Sequence, residues 1–316
     1  MEALARRGHS VHVEELNLVD RPDRFREFDI VFFWRCYFWP MQQLAQRLRH
    51  AHVPMVWDND DDLTAIPKDN PAYQKTGGFR GRRASQEMAR MMRMADVVTT
   101  TTPTLAERYR ELSGVEARVI ENYLRPGFGA PRRVAHDTVT IGWLAALEHR
   151  MDYERLGLHD VFVRLLATHP QVRLVSIGLK LKLDHPHYRH IDITPYERIA
   201  PELAKFDVGL APLADIAFNR GRSSVKLKEY SACGVPWLAS PVGPYAELGP
   251  QEGGQLVADD GWYEALEALI GDLERRRRLG ANAKSWAQRQ TIVHHVQEWE
   301  AVLRDAVKSA RMAATA

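Results

Sequence analysis

Three side chains of different chemistry recur at every third position of one segment: Ser223, Lys226 and Glu229. The segment is predicted to be a helix, because serine is a good N-cap residue and Gly234 followed by Pro236 is a stop signal. At 100° per residue the three side chains lie within an arc of about 120°, on one face of that helix. We therefore expect a hydroxyl at the helix tip, then a cation, and then a carboxylate roughly 9 Å along the axis.

This arrangement suits an anionic ligand that also carries hydroxyl groups. A helix N-terminus has unpaired N–H donors and roughly +0.5 charge, so it binds phosphate, and Arg220 and Arg222 add positive charge. Glu229 could accept hydrogen bonds from the two hydroxyls of a ribose. Predicted strands at 206–213 and 235–240 flank the segment, and ligands of open α/β sheets bind at the carboxyl ends of strands. The pattern favours a nucleoside diphosphate site; the alternative is a surface helix with solvated charges.

The segment belongs to a wider pattern, formed by Ala211-Pro212-Leu213, Phe218-Asn219, Ser223-x-x-Lys226-x-x-Glu229-Tyr230-x-Ala232-x-Gly234-x-Pro236, Ala239-Ser240, Gly254-Gln255-Leu256-Val257 and Trp262. In this pattern the chain resembles glycosyltransferase family four, whose members have the GT-B fold. One departure from the family concerns a pair of glutamates that many members carry eight positions apart. Glu229 matches the second glutamate, but Gly221 occupies the first position, so a carboxylate that usually contacts the donor sugar is absent.

The resemblance implies an α/β fold with two Rossmann-like domains facing across a cleft. It also implies a hexosyltransferase-type enzyme that moves a sugar from a nucleoside-diphosphate sugar to an acceptor hydroxyl. Configuration would be retained, without a metal or another cofactor. Lys226, with Arg222 or Arg150, would neutralise the charge that builds on the leaving phosphate. The remaining donor contacts would come from Ser223, Ser224, Glu229, Asn219 and Gly142.

The order of predicted elements divides the chain into three parts. We expect an acceptor-side domain over 1–132, a nucleotide-sugar-binding domain over 133–290, and a terminal helix over 291–316 that returns to the first domain. The family's first strand has no counterpart before the predicted helix at 2–7, and a shortened start is our interpretation. Residues 10–15 alternate in polarity and are predicted to form a strand.

Four carboxylates follow the predicted strand at 53–57, in the run Asp58-Asn59-Asp60-Asp61-Asp62. Asp58-x-Asp60 is the pattern by which GT-A glycosyltransferases hold a divalent cation, and hard cations prefer oxygen ligands. The interpretation we favour is an acidic loop on the acceptor side of the cleft, comprising Asp58, Asp60 and Asp61 together with Arg35 from the neighbouring strand. A solvated acidic loop is the third alternative.

The totals exclude several classes of protein. The net charge of +2 over 316 residues is too small for a dedicated nucleic-acid binder. The two cysteines match no disulfide or metal pattern, which fits a reducing compartment, and no stretch approaches ~20 apolar residues. We expect a cytoplasmic protein, with possible peripheral membrane contact through the basic loop at 67–83.

The acceptor is expected to be a carbohydrate or glycolipid, as in polysaccharide biosynthesis, by analogy with the family's common roles. Three rival functions stay open: a metal-dependent GT-A enzyme, a GT-B epimerase, and a partner subunit that binds nucleotide without turnover. The histidine-rich segment at 180–190 matches no metal template and is predicted to be a polar loop.

Overall fold

The computed structural model describes residues 2–13, 22–70, 73, 81–131 and 138–315. Two parallel sheets with helices account for the fold, so the α/β prediction is confirmed. The boundary predicted at residue 132 and most of the predicted basic loop at 67–83 lie outside the described residues.

The N-terminal sheet has four parallel strands in the order β1-β2-β3-β4. Its strands are short, and the two central ones are largely buried, as parallel strands covered by helices should be, whereas the two edge strands are more exposed. The strands are β1 (Val31–Trp34), β2 (Met55–Asp58), β3 (Val97–Thr100) and β4 (Ala117–Val119). Helices α1 (Glu2–Ala5), α2 (Trp39–His50), α3 (Gly81–Met94) and α4 (Pro103–Ser113) belong to the same half of the chain.

β1 lies at an edge of this sheet, and its outer side is unusually apolar. Trp34 is 60% exposed and Phe32 41% exposed. They border a cavity of about 2300 Å³ that is also lined by residues 9–13 and by Trp299 and Leu303 of the last helix. Residues 10–13 form no strand, so the predicted strand at 10–15 is wrong over its described part.

The C-terminal sheet has six parallel strands in the order β10-β9-β8-β5-β6-β7. Its strands are β5 (Val139–Ala145), β6 (Val172–Gly178), β7 (Tyr188–Ile191), β8 (Val208–Ala211), β9 (Trp237–Ala239) and β10 (Gly254–Leu256). The predicted polar loop at 180–190 is wrong in part, because residues from Tyr188 onward pair with β6 as an edge strand. No group of metal-ligating side chains occurs in the described part of the chain.

The helices of this half include the short α8 and α9, which follow β8. In chain order they are α5 (Arg150–Arg155), α6 (Leu158–Thr168), α7 (Tyr196–Leu203), α8 (Ala217–Arg220), α9 (Val225–Ala232), α10 (Trp262–Gly271), α11 (Leu273–Gln288) and α12 (Ile292–Thr315). None of the described helices combines the length and apolar character needed to cross a bilayer.

The two halves touch at several places. α12 packs Val302 and Ala306 against Val56 and Ile120 of the N-terminal half. Near the carboxyl ends of the strands, Ile66 of the N-terminal half joins a small apolar cluster with Met151 and Phe218. Asn122 contacts both Asp60, after β2, and Ser223, after β8, so the carboxyl ends of these two strands lie close together.

Gly142 offers a test of the packing in the C-terminal half. A Cβ added to Gly142 would lie 2.0 Å from the Phe206 ring, whereas one added to Gly271 would meet nothing within 4 Å. Overpacking of a core costs about 1–3 kcal/mol. We expect Gly142→Ala to lower the free energy of unfolding by that amount in urea titrations, with Gly271→Ala close to wild type. Equal stabilities of the two variants would contradict the packing.

Candidate active site

The phosphate-binding helix predicted from the sequence is α9, which follows β8 and α8 at the carboxyl end of the C-terminal sheet. It begins one residue later than predicted, with Ser224 as N-cap, and Ser224 makes no side-chain capping bond. The Ser223 hydroxyl instead accepts a 3.3 Å hydrogen bond from the side-chain nitrogen Nδ2 of Asn122. The helix ends as predicted, since Gly234 follows it with a φ of +68°.

Lys226 lies in the first turn of α9 and is half-buried. Its Nζ is 2.8 Å from Nε2 of His149, which belongs to the loop after β5. Burial, followed by the nearby guanidinium of Arg222, lowers the pKa of Lys226 to about 7. Burial and the neighbouring guanidinium both disfavour the charged form of Lys226, and a bound anion would favour it.

Arg222 precedes α9 and lies over the Phe218 ring at 5.2 Å. One of its nitrogens, Nη2, is 3.3 Å from the Glu148 carboxylate. The other terminal nitrogen, Nη1, is buried and has no hydrogen-bond partner among the described residues. A buried unpaired donor is costly, so a ligand oxygen at this position would satisfy it.

Glu229 lies about one turn into α9 and is 8% exposed. The hydroxyl of Tyr196 donates a hydrogen bond to its carboxylate, and burial, the largest cause, raises the pKa of Glu229 to about 7. The carboxylate therefore lies along the same helix as Lys226, in the order the spacing predicted.

The N-terminal half contributes the opposite wall of the cleft. Arg35 pairs with Asp60 at 2.6 Å and with Asp61 at 2.7 Å. Asn122 lies 3.3 Å from both Asp60 and Ser223, so it bridges the two walls. Arg35 also has a φ of +55°, a conformation that L-residues other than glycine seldom adopt and that clusters at functional sites.

Asp58 ends β2 and accepts a 2.6 Å hydrogen bond from the Thr99 hydroxyl. Burial is the main reason that its pKa is raised, to about 7. Its predicted metal-binding partner, Asp60, is engaged by Arg35 and Asn122. The partners of Asp60 are thus a guanidinium and a side-chain amide, whereas the Asp58-x-Asp60 pattern suggested a divalent cation.

Gly221 occupies the position where the resembling family has a glutamate. A Cβ there would lie 3.0 Å from Cδ2 of Leu105 and 3.8 Å from Cβ of Asp62. The Thr102 hydroxyl donates to the Gly221 carbonyl at 3.3 Å. Residues of the N-terminal half therefore occupy the space into which a longer side chain would extend.

Two predicted residues lie outside this cluster. Arg150 is exposed and lies with Lys180 and Lys182 at a small surface depression. Gly142 is inside β5 against Phe206, so packing accounts for glycine there. For both residues a role toward the donor stays a prediction.

Two more predicted donor residues are buried beside the cluster. Asn219 is buried and donates to Asp152 at 2.7 Å, which supports the loop from within. Ser224 is buried at the start of α9. Neither placement tests a contact with the donor.

The structure adds residues that sequence reasoning did not select. His149 and Asp152 lie beside Lys226, and Asn122 and Tyr196 contact Ser223 and Glu229. The spacing His149-x-x-Asp152 in a loop rich in charged residues was the available signal for the first pair. No sequence pattern marked Asn122 or Tyr196, because their contacts depend on how elements distant in the sequence pack together.

Comparison with known proteins identifies the fold. No protein-family model and no curated protein sequence matches the chain. Among solved structures, sucrose-phosphate synthase from Thermosynechococcus elongatus is similar with a TM-score of 0.61 and 17% identity, over 96% of this chain and 81% of that one. The Anabaena protein HepE in complex with UDP and glucose has a TM-score of 0.63 and 14% identity, over 90% and 81%.

A third similar structure is a UDP-forming α,α-trehalose-phosphate synthase from Burkholderia xenovorans. Its TM-score is 0.61 with 16% identity, over 91% of this chain and 77% of that one. Similarity at such low identity shows the fold alone. The chain has the GT-B fold, so a protein with the GT-A fold is excluded.

A substitution at Gly221 tests its close contact with Leu105. A glutamate there would be forced against Leu105 and beside the carboxylate of Asp62, so we expect Gly221→Glu to cost about 1–3 kcal/mol of stability. Urea unfolding measures the loss. Gly221→Glu in a Leu105→Ala background should recover part of it relative to Leu105→Ala alone, and a fully stable Gly221→Glu variant would contradict the close contact.

Proposed function

We propose that this protein is a glycosyltransferase that uses a nucleoside-diphosphate sugar as donor. The observation that carries the proposal lies at the N-terminus of α9. There the buried Nη1 of Arg222, which has no partner among the described residues, lies near Lys226, whose pKa is lowered to about 7. Two cationic groups converge at the first turn of this helix, where Glu148 pairs with Nη2 of Arg222. A diphosphate has the charge and the oxygens to bind Nη1 of Arg222, Lys226 and the N–H groups of the helix terminus.

In this proposal the diphosphate lies over the tip of α9, and Glu229 accepts hydrogen bonds from the ribose hydroxyls. Arg222 and Lys226 then neutralise the charge that develops on the diphosphate as the bond to the sugar breaks. Removal of one preorganised contact of this kind typically lowers the rate by about 10²–10³. Retention of configuration and independence of metal are part of the proposal, and the similar HepE structures contain UDP or UDP-glucose.

The acceptor, a carbohydrate or glycolipid, would enter from the wall formed by Arg35, Asp60 and Asp61. Asp58 lies at the end of the same wall, and its pKa of about 7 suits a group that takes up and releases a proton near neutral pH. Closure of the cleft around the donor would exclude water and so limit hydrolysis.

Thermal unfolding with UDP, GDP, dTDP, ADP and CMP, each in EDTA and each with Mn²⁺, tests donor binding. A ligand at 100 times its Kd stabilises the folded protein by about 2.7 kcal/mol, which is an easily measured shift. We expect one nucleotide to raise the melting temperature in EDTA, and the shift to vanish in Glu229→Ala. Glu264→Ala, which changes an exposed carboxylate on α10, is the matched control and should keep the full shift.

Two results would contradict the proposal. One is the absence of a shift with every nucleotide. The other is a shift that needs Mn²⁺ and disappears in Asp60→Ala, which would assign the nucleotide to the acidic loop instead.

Proton uptake on binding gives an independent test of the role of Lys226. Its pKa of about 7 in the free protein leaves it mostly neutral at pH 8, and a bound diphosphate raises that pKa. The complex therefore binds more protons than the free protein at pH 8, where Glu229, with a pKa also near 7, is already ionised. We expect calorimetry in buffers of different ionisation enthalpy to show proton uptake, and nucleotide affinity to fall as the pH rises above 7.

The matched variant for this test is Lys226→Met, which should bind more weakly and take up fewer protons. Identical binding heats in all buffers for the wild-type protein would contradict the assignment of Lys226 to the diphosphate.

A partner subunit that binds nucleotide without turnover is the second candidate. The observation that favours it is Gly221, where Leu105 fills the space of a donor-contacting carboxylate. Nucleotide binding without sugar transfer or sugar hydrolysis, from any tested nucleotide sugar, would support this candidate.

A further inference from the structure

A buried chain of hydrogen bonds leads from the interior to Lys226. Asp152 is fully buried and His149 is 4% exposed. The Oδ2 atom of Asp152 is 2.8 Å from Nδ1 of His149, and Nε2 of His149 is 2.8 Å from Nζ of Lys226. The chain links the loop after β5 to the first turn of α9.

The partners of Asp152 determine where the His149 proton lies. Oδ1 of Asp152 accepts hydrogen bonds from the Ala214 amide at 3.0 Å and from Asn219 at 2.7 Å. Oδ2 remains for His149, and an ionised carboxylate can only accept. Nδ1 of His149 therefore carries the proton.

The charge of His149 follows from its surroundings. Burial, followed by the charges of Lys226 and Arg222, holds the pKa of His149 well below its usual value, so the ring is neutral. With the proton at Nδ1, the lone pair of Nε2 points to Lys226 and accepts one of its three N–H groups.

We propose that Asp152 and His149 are positioning residues that orient the ammonium group of Lys226 toward the donor diphosphate. The inference rests on the proposed function, since it names the residues that hold one of its phosphate contacts. Lysine has a flexible stem and a point charge, so its direction has to be fixed by a neighbour. His149 fixes it with one N–H group and leaves two for phosphate oxygens.

A neutral imidazole is better suited to this role than a carboxylate. A carboxylate in direct contact with Lys226 would neutralise the charge needed by the leaving phosphate. Here the His149 ring lies between the Asp152 carboxylate and Lys226, so the ring fixes the direction of the ammonium group and leaves its charge available.

The most direct test reads the tautomer of His149 in the free wild-type protein. Selective ¹⁵N-histidine labelling and two-bond ¹⁵N–¹H correlation distinguish Nδ1–H from Nε2–H, and His149→Gln identifies the signal. We expect a neutral ring protonated at Nδ1 at pH 7. A ring protonated at Nε2, or a charged ring, would overturn the inference.

Asp152→Asn tests the chain further. The asparagine oxygen would take the bonds from Ala214 and Asn219, so its NH₂ group would face Nδ1 of His149 and force the proton to Nε2. That proton would then point at the Lys226 ammonium. We expect turnover to fall roughly 10- to 100-fold, the range typical for loss of a residue that orients a functional group, with the tautomer reversed in the NMR spectrum.

A pair of substitutions at His149 separates positioning from packing. His149→Gln can place an oxygen near the position of Nε2, whereas His149→Leu fills space without an acceptor. ¹³C-methylated lysine NMR should show a lower pKa for Lys226 in His149→Leu than in His149→Gln, with Arg222, Glu148, Glu229 and Asp152 facing Lys226 in both. Equal Lys226 pKa values and equal turnover in the two variants would overturn the inference.

A matched control is His159→Gln, which changes a histidine that is exposed and bonded to the Tyr153 hydroxyl at 3.0 Å. It should leave the Lys226 pKa and turnover at wild-type values. The tautomer and the Lys226 pKa are read without substrate. If the ring is protonated at Nδ1 but no nucleotide binds, the proposed function is refuted and the hydrogen-bond chain stands. If turnover is normal but the ring is protonated at Nε2, the proposed function stands and the positioning role is refuted.

Discussion

The fully buried carboxylate of Asp152 is the interaction on which the candidate site depends. It receives donors from the Ala214 backbone, Asn219 and His149, and so joins the loop after β5 to the loop after β8. A buried charge is tolerated only when it is hydrogen-bonded on all sides, because its desolvation costs several kcal/mol otherwise. The loss of any partner would therefore displace both loops, and with them Lys226.

The two parallel sheets supply the rest of the geometry. Each directs the carboxyl ends of its strands into the cleft, so that β2 presents acidic residues and β8 leads to the cations of α9. Asn122 connects Asp60 to Ser223, and the cluster of Ile66, Met151 and Phe218 packs the walls together. Nη1 of Arg222 is buried and has no hydrogen-bond partner among the residues that the structure describes, so a ligand oxygen there would satisfy it.

Much of the fold could be predicted from the sequence, because apolar runs such as 172–178 mark buried parallel strands and Gly234 marks the end of α9. The order of Lys226 and Glu229 on one helix was also predictable from spacing. The partners of these residues were not, since His149, Tyr196 and Asn122 meet them only through tertiary packing. The N-cap was misplaced by one residue because the Ser223 hydroxyl is turned toward the other half of the chain. At the N-terminal edge, the alternating pattern at 10–15 predicted a strand, but its described residues, 10–13, do not form one.

A crystal structure of the protein with UDP, grown in EDTA, would test the central claim most directly. The account predicts the diphosphate over the N-terminus of α9, with oxygens within hydrogen-bond distance of Nη1 of Arg222 and Nζ of Lys226, and with the ribose hydroxyls on Glu229. Diphosphate bound instead beside Arg150, Lys180 and Lys182, or against the acidic loop at 58–62, would contradict it.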